Sequence, residues 1–261
     1  MEAFDNTVLR GSCMQSRGQM TTIFDFPDVK SIVVCGDIHG EFEKLVHNIA
    51  VRHKMRDTLI IVAGDCGFGF WSIADELDFY FGRSMDRIAD ANNYIAFVRG
   101  NHDDPRYFDG ERIGYERFRA VPDYSVITTC GHQILCVGGA VSIDRDSRTE
   151  GKDWWMNEGP ALRPDLMAEI ASNGYRIDTV VTHTAPSFCG FAAPPAFIKD
   201  AVLLADLRHE RDVMDSLLSH LYHDGHPLRH WYFGHFHNSW SAAIDGVNFT
   251  LLDIMEMKEL R

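Results

Sequence analysis

Short apolar, β-branched runs recur along this chain, and each stops at a cluster of polar residues. Residues 31–35 (SIVVC) run into Gly36-Asp37-Ile38-His39-Gly40, and residues 58–63 (TLIIVA) into Gly64-Asp65. Residues 94–98 (YIAFV) run into Arg99-Gly100-Asn101-His102, residues 179–181 into Thr182-His183, and residues 231–233 into Gly234-His235-Phe236-His237. Each run has the length and composition of a strand. A glycine often opens the polar cluster, where the chain must turn sharply. Between the first runs, residues 41–54 set Phe42, Leu45, Val46, Ile49 and Ala50 on one helical face, and residues 73–91 do the same with Leu77, Phe81, Met85 and Ile88. Strand–helix–strand alternation predicts parallel strands with crossovers, and ligands bind such sheets at the carboxyl ends of the strands. That is where every polar cluster falls. Later runs at 126–129, 133–137 and 249–254 have shorter connections and read as antiparallel pairs. The pattern therefore predicts two packed sheets with helices outside.

Composition narrows the picture. The chain has 261 residues, 45% of them hydrophobic, enough for one substantial core. Residues 26–261 read as a single domain, and residues 1–25 as a flexible leader in which Gly11, Ser12, Ser16, Gly18 and Gln19 dilute any periodicity. Residues 186–229 break the rhythm with a Gly/Pro/Phe-rich loop and a charge-rich helical stretch, read as an insertion capping the site. No apolar run approaches the roughly 18–20 residues that span a bilayer, and no secretory signal is visible. Six cysteines at 13, 35, 66, 130, 136 and 189 form no metal or disulfide pattern, which suits a reducing compartment. A cytoplasmic protein with no membrane partner is expected. The formal charge of −13 argues against duplex nucleic acid as a partner.

The polar clusters carry the chemistry. Asp37, His39, Asp65, Asn101, His183, His235 and His237 supply carboxylate, amide and imidazole donors. Carboxylate oxygens suit hard cations, and imidazole suits Mn, Fe, Ni or Zn. Seven donors are too many for one tetrahedral site and suit two sites sharing a bridge. Asp65 is the natural bridge, since one carboxylate has two oxygens. In this ordered series the sequence resembles the calcineurin-like metallophosphoesterases, whose motif runs Asp-x-His, Gly-Asp, Gly-Asn-His-Asp/Glu, His and Gly-His-x-His. The resemblance implies an α/β, four-layer αββα sandwich of two mixed β-sheets flanked by helices. It implies two divalent metal ions, Mn2+ foremost, with Fe, Zn or Ni as other candidates. Asp37, His39 and His237 would hold one ion, Asn101, His183 and His235 the other, and Asp65 both. A metal-bridging hydroxide would attack phosphorus. His102 would protonate the leaving oxygen, with Asp103 or Asp104 orienting it.

One departure bears on specificity. The opening Gly-Asp-Ile-His-Gly and Arg99 resemble the protein Ser/Thr phosphatase branch, but that branch has an Asp-Arg pair after its second block. Here Cys66-Gly67-Phe68-Gly69-Phe70 stands in its place. A phosphorylated small molecule or nucleotide is therefore the expected substrate, mono- or diester, with a phosphoprotein as the alternative. Arg99, Arg145 and Arg148 are the candidate phosphate contacts, because arginine forks match phosphate oxygens. Phe68, Phe70 and Trp71 read as an apolar wall beside the site. Trp154, Trp155 and Glu158 read as packing or a pocket wall, and His209, His220, His223, His226 and His230 as a solvated helix and loop. A non-catalytic scaffold of the same fold is the reading that the intact donor set argues against.

Overall fold

The structure, a computed structural model, describes residues 20–26, 28–70, 77–190 and 198–261, with the side chains of 77–80 left aside. Residues 1–19 of the expected leader, Trp71, the start of the helix expected over 73–91 and residues 191–197 of the expected insertion lie outside the described residues. Among the described residues no helix is long and apolar enough to cross a membrane.

Two mixed sheets face each other. The first contains β2 (Ser31–Cys35), β3 (Thr58–Val62), β4 (Tyr94–Phe97), β5 (Phe118–Ala120) and β12 (Met257–Leu260), in the order β12-β2-β3-β4-β5. The second contains β1 (Ile23–Asp25), β6 (Ser125–Thr129), β7 (His132–Val137), β8 (Thr179–Thr182), β9 (His230–Phe233), β10 (Trp240–Ile244) and β11 (Val247–Leu251), in the order β1-β6-β7-β8-β9-β11-β10. Strands β2 to β5 run parallel, as do β7, β8, β9 and β11. The expected antiparallel pairing of 126–129 with 133–137 forms between β6 and β7. Residues 249–251, in contrast, lie on β11, which is parallel to β9 and antiparallel to β10.

Alternate residues of one strand enter different cores, because successive side chains leave a strand on opposite faces. Leu59 and Ile61 of β3 and Ile134 and Cys136 of β7 meet between the sheets. Ile60 and Val62 pack outward under α1 (Phe42–His47) and α2 (Leu77–Asp90), with Phe42, Leu45, Phe81 and Ile88 as the covering residues. Leu135 and Val137 pack outward under α3 (Pro164–Ser172) and α4 (Ala201–His223). Continuous burial of β3 follows from being covered on both faces. The result is the expected four-layer αββα sandwich.

Three expectations meet a different structure. The leader's last residues, Ile23–Asp25, form an edge strand parallel to β6. The helical part of the expected insertion is α4, which joins β8 to its parallel neighbour β9 and buries Val213, Met214, Leu217 and Leu221 against the sheet. It is thus the crossover of a β-α-β unit and an outer layer of the fold. Its apolar positions recur at helical spacing under the charges that made it read as a surface segment. Phe68 is fully buried in the core under α1 and stacks on Phe42 at 5.5 Å, while Phe70 alone of the described pair reaches the site.

Candidate metal centre

The parallel strands deliver their polar clusters to one end of the molecule. Asp37 and His39 follow β2, Asp65 follows β3, Asn101 and His102 follow β4, His183 follows β8, and His235 and His237 follow β9. The turns are tight: His39, Asp65, His235 and His237 all have φ between 44° and 69°, a left-handed conformation that side chains other than glycine rarely adopt and that gathers at functional sites. The glycines before the donors serve close approach. A Cβ on Gly64 would lie 2.1 Å from His183 Nδ1, one on Gly100 2.2 Å from Asp65 Oδ1, and one on Gly234 2.1 Å from Asp37 Oδ1.

Asp37, His39, Asp65 and His237 each offer a ligand atom, and these four atoms lie within 4.8 Å of one another. His237 Nε2 is 3.0 Å from Asp37 Oδ2 and 3.0 Å from His39 Nε2. Asp65 divides its oxygens between two groups. Its Oδ2 is 3.8 Å from His39 Nδ1, and its Oδ1 is 3.1 Å from His183 Nε2. His183 Nε2 also lies 3.1 Å from Asn101 Oδ1. The other nitrogen, Nδ1, donates to the Ala63 carbonyl at 2.8 Å, which leaves Nε2 for the cluster. His183 Nε2 thus stands at hydrogen-bond distance from two electron-pair donors, Asp65 Oδ1 and Asn101 Oδ1, an arrangement that a proton on Nε2 or a cation between the three satisfies. The His235 ring lies 5.0 Å from that of His183.

The electrostatics agree. Burial works to lower the His183 pKa, but the Asp65 and Asp37 carboxylates outweigh it and lift it to about 10. A proton on Nε2 is one way to supply the missing positive charge, and a metal ion is the other. Burial would raise the Asp65 pKa, yet the charges of His183, His102 and His39 hold it well below the usual carboxylate range. His235 is pushed well down, first by burial and then by the His183 charge, which favours the neutral form that ligates metals. This donor set fits two divalent cations.

His102 lies beside the cluster. Its amide donates to Asp65 Oδ1 at 2.8 Å, its ring stacks on Phe70 at 4.7 Å, and its Nε2 takes a 2.7 Å bond from Arg148 Nη2. Burial, and then the Arg148 charge, lower its pKa against the pull of Asp65. His39, Phe70, His102, Ser147 and Arg148 line a cavity of about 420 Å³ in front of the donors.

The remaining expected residues stand elsewhere. Asp103 is expected to orient His102, but its buried carboxylate accepts from the amides of Cys66, Gly67, Phe68 and Gly100 at 2.7–3.0 Å. Asp104 accepts from Arg106. Among the described hydrogen bonds neither reaches His102. Arg99 is buried and donates to the Glu158 carbonyl at 2.6 Å and to Asp123 at 2.8 Å. Arg145 pairs with Asp206 on α4 at 2.6 Å. Of the three arginines, Arg148 alone meets His102. Sequence reasoning missed Glu210 and Arg211, which brace the neighbouring loops. Glu210 accepts from the Val141 amide at 2.5 Å and the Thr184 hydroxyl at 2.6 Å, and Arg211 donates to the Ala185 carbonyl at 2.9 Å. Their signal was phase: both charges sit on the face of α4 that also carries Leu207 and Met214.

No curated protein matches the sequence. Among solved structures, the phosphopantetheinyl hydrolase of Mycobacterium tuberculosis is similar at 14% identity and a TM-score of 0.44, covering 87% of this chain and 90% of its own. A dimetal phosphatase from Danio rerio is similar at 12% identity and a TM-score of 0.47, covering 88% of each chain. A 5'-nucleotidase precursor from Thermus thermophilus is similar at 14% identity and a TM-score of 0.41, covering 87% of this chain and 48% of its own. The calcineurin-like phosphoesterase model matches residues 30–239, a span that contains every donor named above. The chain belongs to the calcineurin-like phosphoesterase family and is a metal-dependent hydrolase of phosphoric esters.

Proposed function

We propose that the chain hydrolyses phosphate mono- or diesters of small molecules or nucleotides, using two divalent cations, Mn2+ foremost. Asp37, His39 and His237 would hold one cation, Asn101, His183 and His235 the other, and Asp65 would be shared by the two groups. The observation that carries this reading is the division of Asp65: one oxygen faces His39 and the other faces His183. Bound cations supply charge to the phosphoryl oxygens and acidify the attacking water. Arg148 offers its fork to the phosphate. In doing so it gives up His102 Nε2, and the incoming negative charge raises the His102 pKa. The imidazole can then carry the proton that the leaving oxygen needs. A cavity of about 420 Å³ suits a small substrate.

The test is His102→Ala. It is expected to keep both Mn2+ ions while turnover falls about 10²–10⁴-fold on alkyl phosphates, and far less on p-nitrophenyl phosphate, whose leaving group needs no proton. Equal loss of bound metal refutes the assignment of His102 as the acid. Activity on phosphopeptides alone refutes the small-molecule substrate.

A further inference from the structure

One buried hydroxyl stands where the metal centre and the phosphate contact meet. Ser142, in the loop after β7, is 1% exposed. Its Oγ accepts from Asn101 Nδ2 at 3.0 Å and from Arg148 Nη1 at 3.3 Å. A hydroxyl has two acceptor pairs and one proton. With both pairs engaged, its proton points to Glu158 Oε2, 2.7 Å away. Glu158 is 3% exposed, and its other oxygen takes the Ser142 amide at 2.7 Å. Glu158 Oε2 accepts that proton and so fixes the direction of the hydroxyl. The backbone beneath Glu158 is fixed in turn by Arg99, which donates to the Glu158 carbonyl at 2.6 Å.

The direction matters because of Asn101. An amide side chain offers oxygen one way and NH2 the other, and only the oxygen can face a cation. With Nδ2 spent on Ser142 Oγ, Oδ1 is turned toward His183 Nε2. Without that acceptor the amide is free to flip and point hydrogens at the ion. Arg148 also leans on that atom: Nη1 rests on Ser142 Oγ and the Asp153 carbonyl, while Nη2 reaches His102 Nε2 and Asp144.

We propose that Ser142, held by Glu158, is a positioning residue that sets the Asn101 amide for the second cation and the Arg148 fork for phosphate. This rests on the assignment of Asn101 to a cation, made above. Groups that orient metal ligands are worth about 10–100-fold in metal affinity.

The experiment is Mn2+ binding to the full chain, followed by equilibrium dialysis and by electron paramagnetic resonance, in the wild type, Ser142→Ala and Glu158→Gln. The wild type is expected to take two ions and give a spin-coupled pair. Ser142→Ala is expected to bind the first ion unchanged and the second about 10–100-fold more weakly, giving the six-line signal of isolated Mn2+ at ion levels that saturate the wild type. KM for p-nitrophenyl phosphate is expected to rise with it, as Arg148 loses its rest. Glu158→Gln should fall between the two, since an amide accepts through one oxygen where the carboxylate accepts through both. Two ions bound with wild-type affinity in Ser142→Ala overturn the proposal. If Ser142→Ala fails to fold in thermal unfolding, unchanged affinity for the second ion in Glu158→Gln overturns it instead. A wild type that binds fewer than two ions overturns the assignment of Asn101, and this proposal with it.

Discussion

Two buried carboxylates hold the loops of this site, one on the side of each sheet. On the five-stranded side, Asp103 takes four backbone amides and ties the loop after β3 to the loop after β4. On the seven-stranded side, Glu210 takes one amide and one hydroxyl, and ties the loops after β7 and β8 to a helix. Asp103 belongs to the motif and sits two residues from a proposed ligand. Glu210 comes from the middle of α4, far along the chain from the loops it holds. Asp103 works through backbone that must turn under the cations. Glu210 works with a cationic neighbour, Arg211, at 3.1 Å. One brace is saturated with amides and the other is an ion pair, so they should fail differently.

Asp103→Ala is the most severe test of that difference. It strands four amides in a buried loop, and at about 1–3 kcal/mol for each group left unmet the loss should be about 5 kcal/mol, read as the shift in urea unfolding. Glu210→Ala should cost about 3 kcal/mol, because it leaves Arg211 buried without its partner. Changing Glu210 and Arg211 together to apolar residues should recover most of that loss, whereas no such rescue exists for Asp103. Equal behaviour of the two would erase the distinction.

A third carboxylate sharpens it through pH. Burial pushes the Glu158 pKa up from 4.5 to about 7 against the pull of its hydrogen bonds. The fold therefore prefers the protonated acid. Its contribution to stability is fully present below pH 4.5 and lost as pH rises through about 7. Metal-free protein should lose roughly 3 kcal/mol across that window, and Glu158→Gln should flatten the slope in thermal melts at pH 4, 6 and 8. The smallest stability effects separate the arginines. Arg99→Ala should cost about 2 kcal/mol by leaving carbonyls unmet. Arg148→Ala should cost about 0.5 kcal/mol in melting while raising KM for p-nitrophenyl phosphate. The reverse order would return Arg99 to the substrate.

Much of this architecture is legible in the amino-acid sequence. The donors are readable because each strand is short and most end at a turn that carries a glycine, so local pattern and strand polarity together put them at one end. The two-sheet layering is readable from the same runs. Strands β5, β10 and β12 are not, because they are edge strands of three to five residues, too short for a period to stand out in the sequence. The role of Asp103 is misread for a physical reason: sequence places it beside His102, but a backbone turn aims its carboxylate the other way. Arg99 reads as a phosphate contact by its charge, while its carbonyl partners near residue 158 are visible only once the chain is folded. Ser142, Glu158 and Glu210 act through tertiary contacts alone, and only the helical phase of Glu210 leaves a mark in the sequence.

The glycines beside the donors carry a consequence for how this centre can change. Gly64 yields its space to His183, Gly100 to Asp65, and Gly234 to Asp37. Three blocks of the chain are thus moulds for residues from other blocks. A methyl added at Gly234 would be felt by an aspartate at the far end of the sequence, and a substitution at any of these three glycines would evict a neighbour whose own codon is untouched. These blocks are spelled separately but can be edited only together.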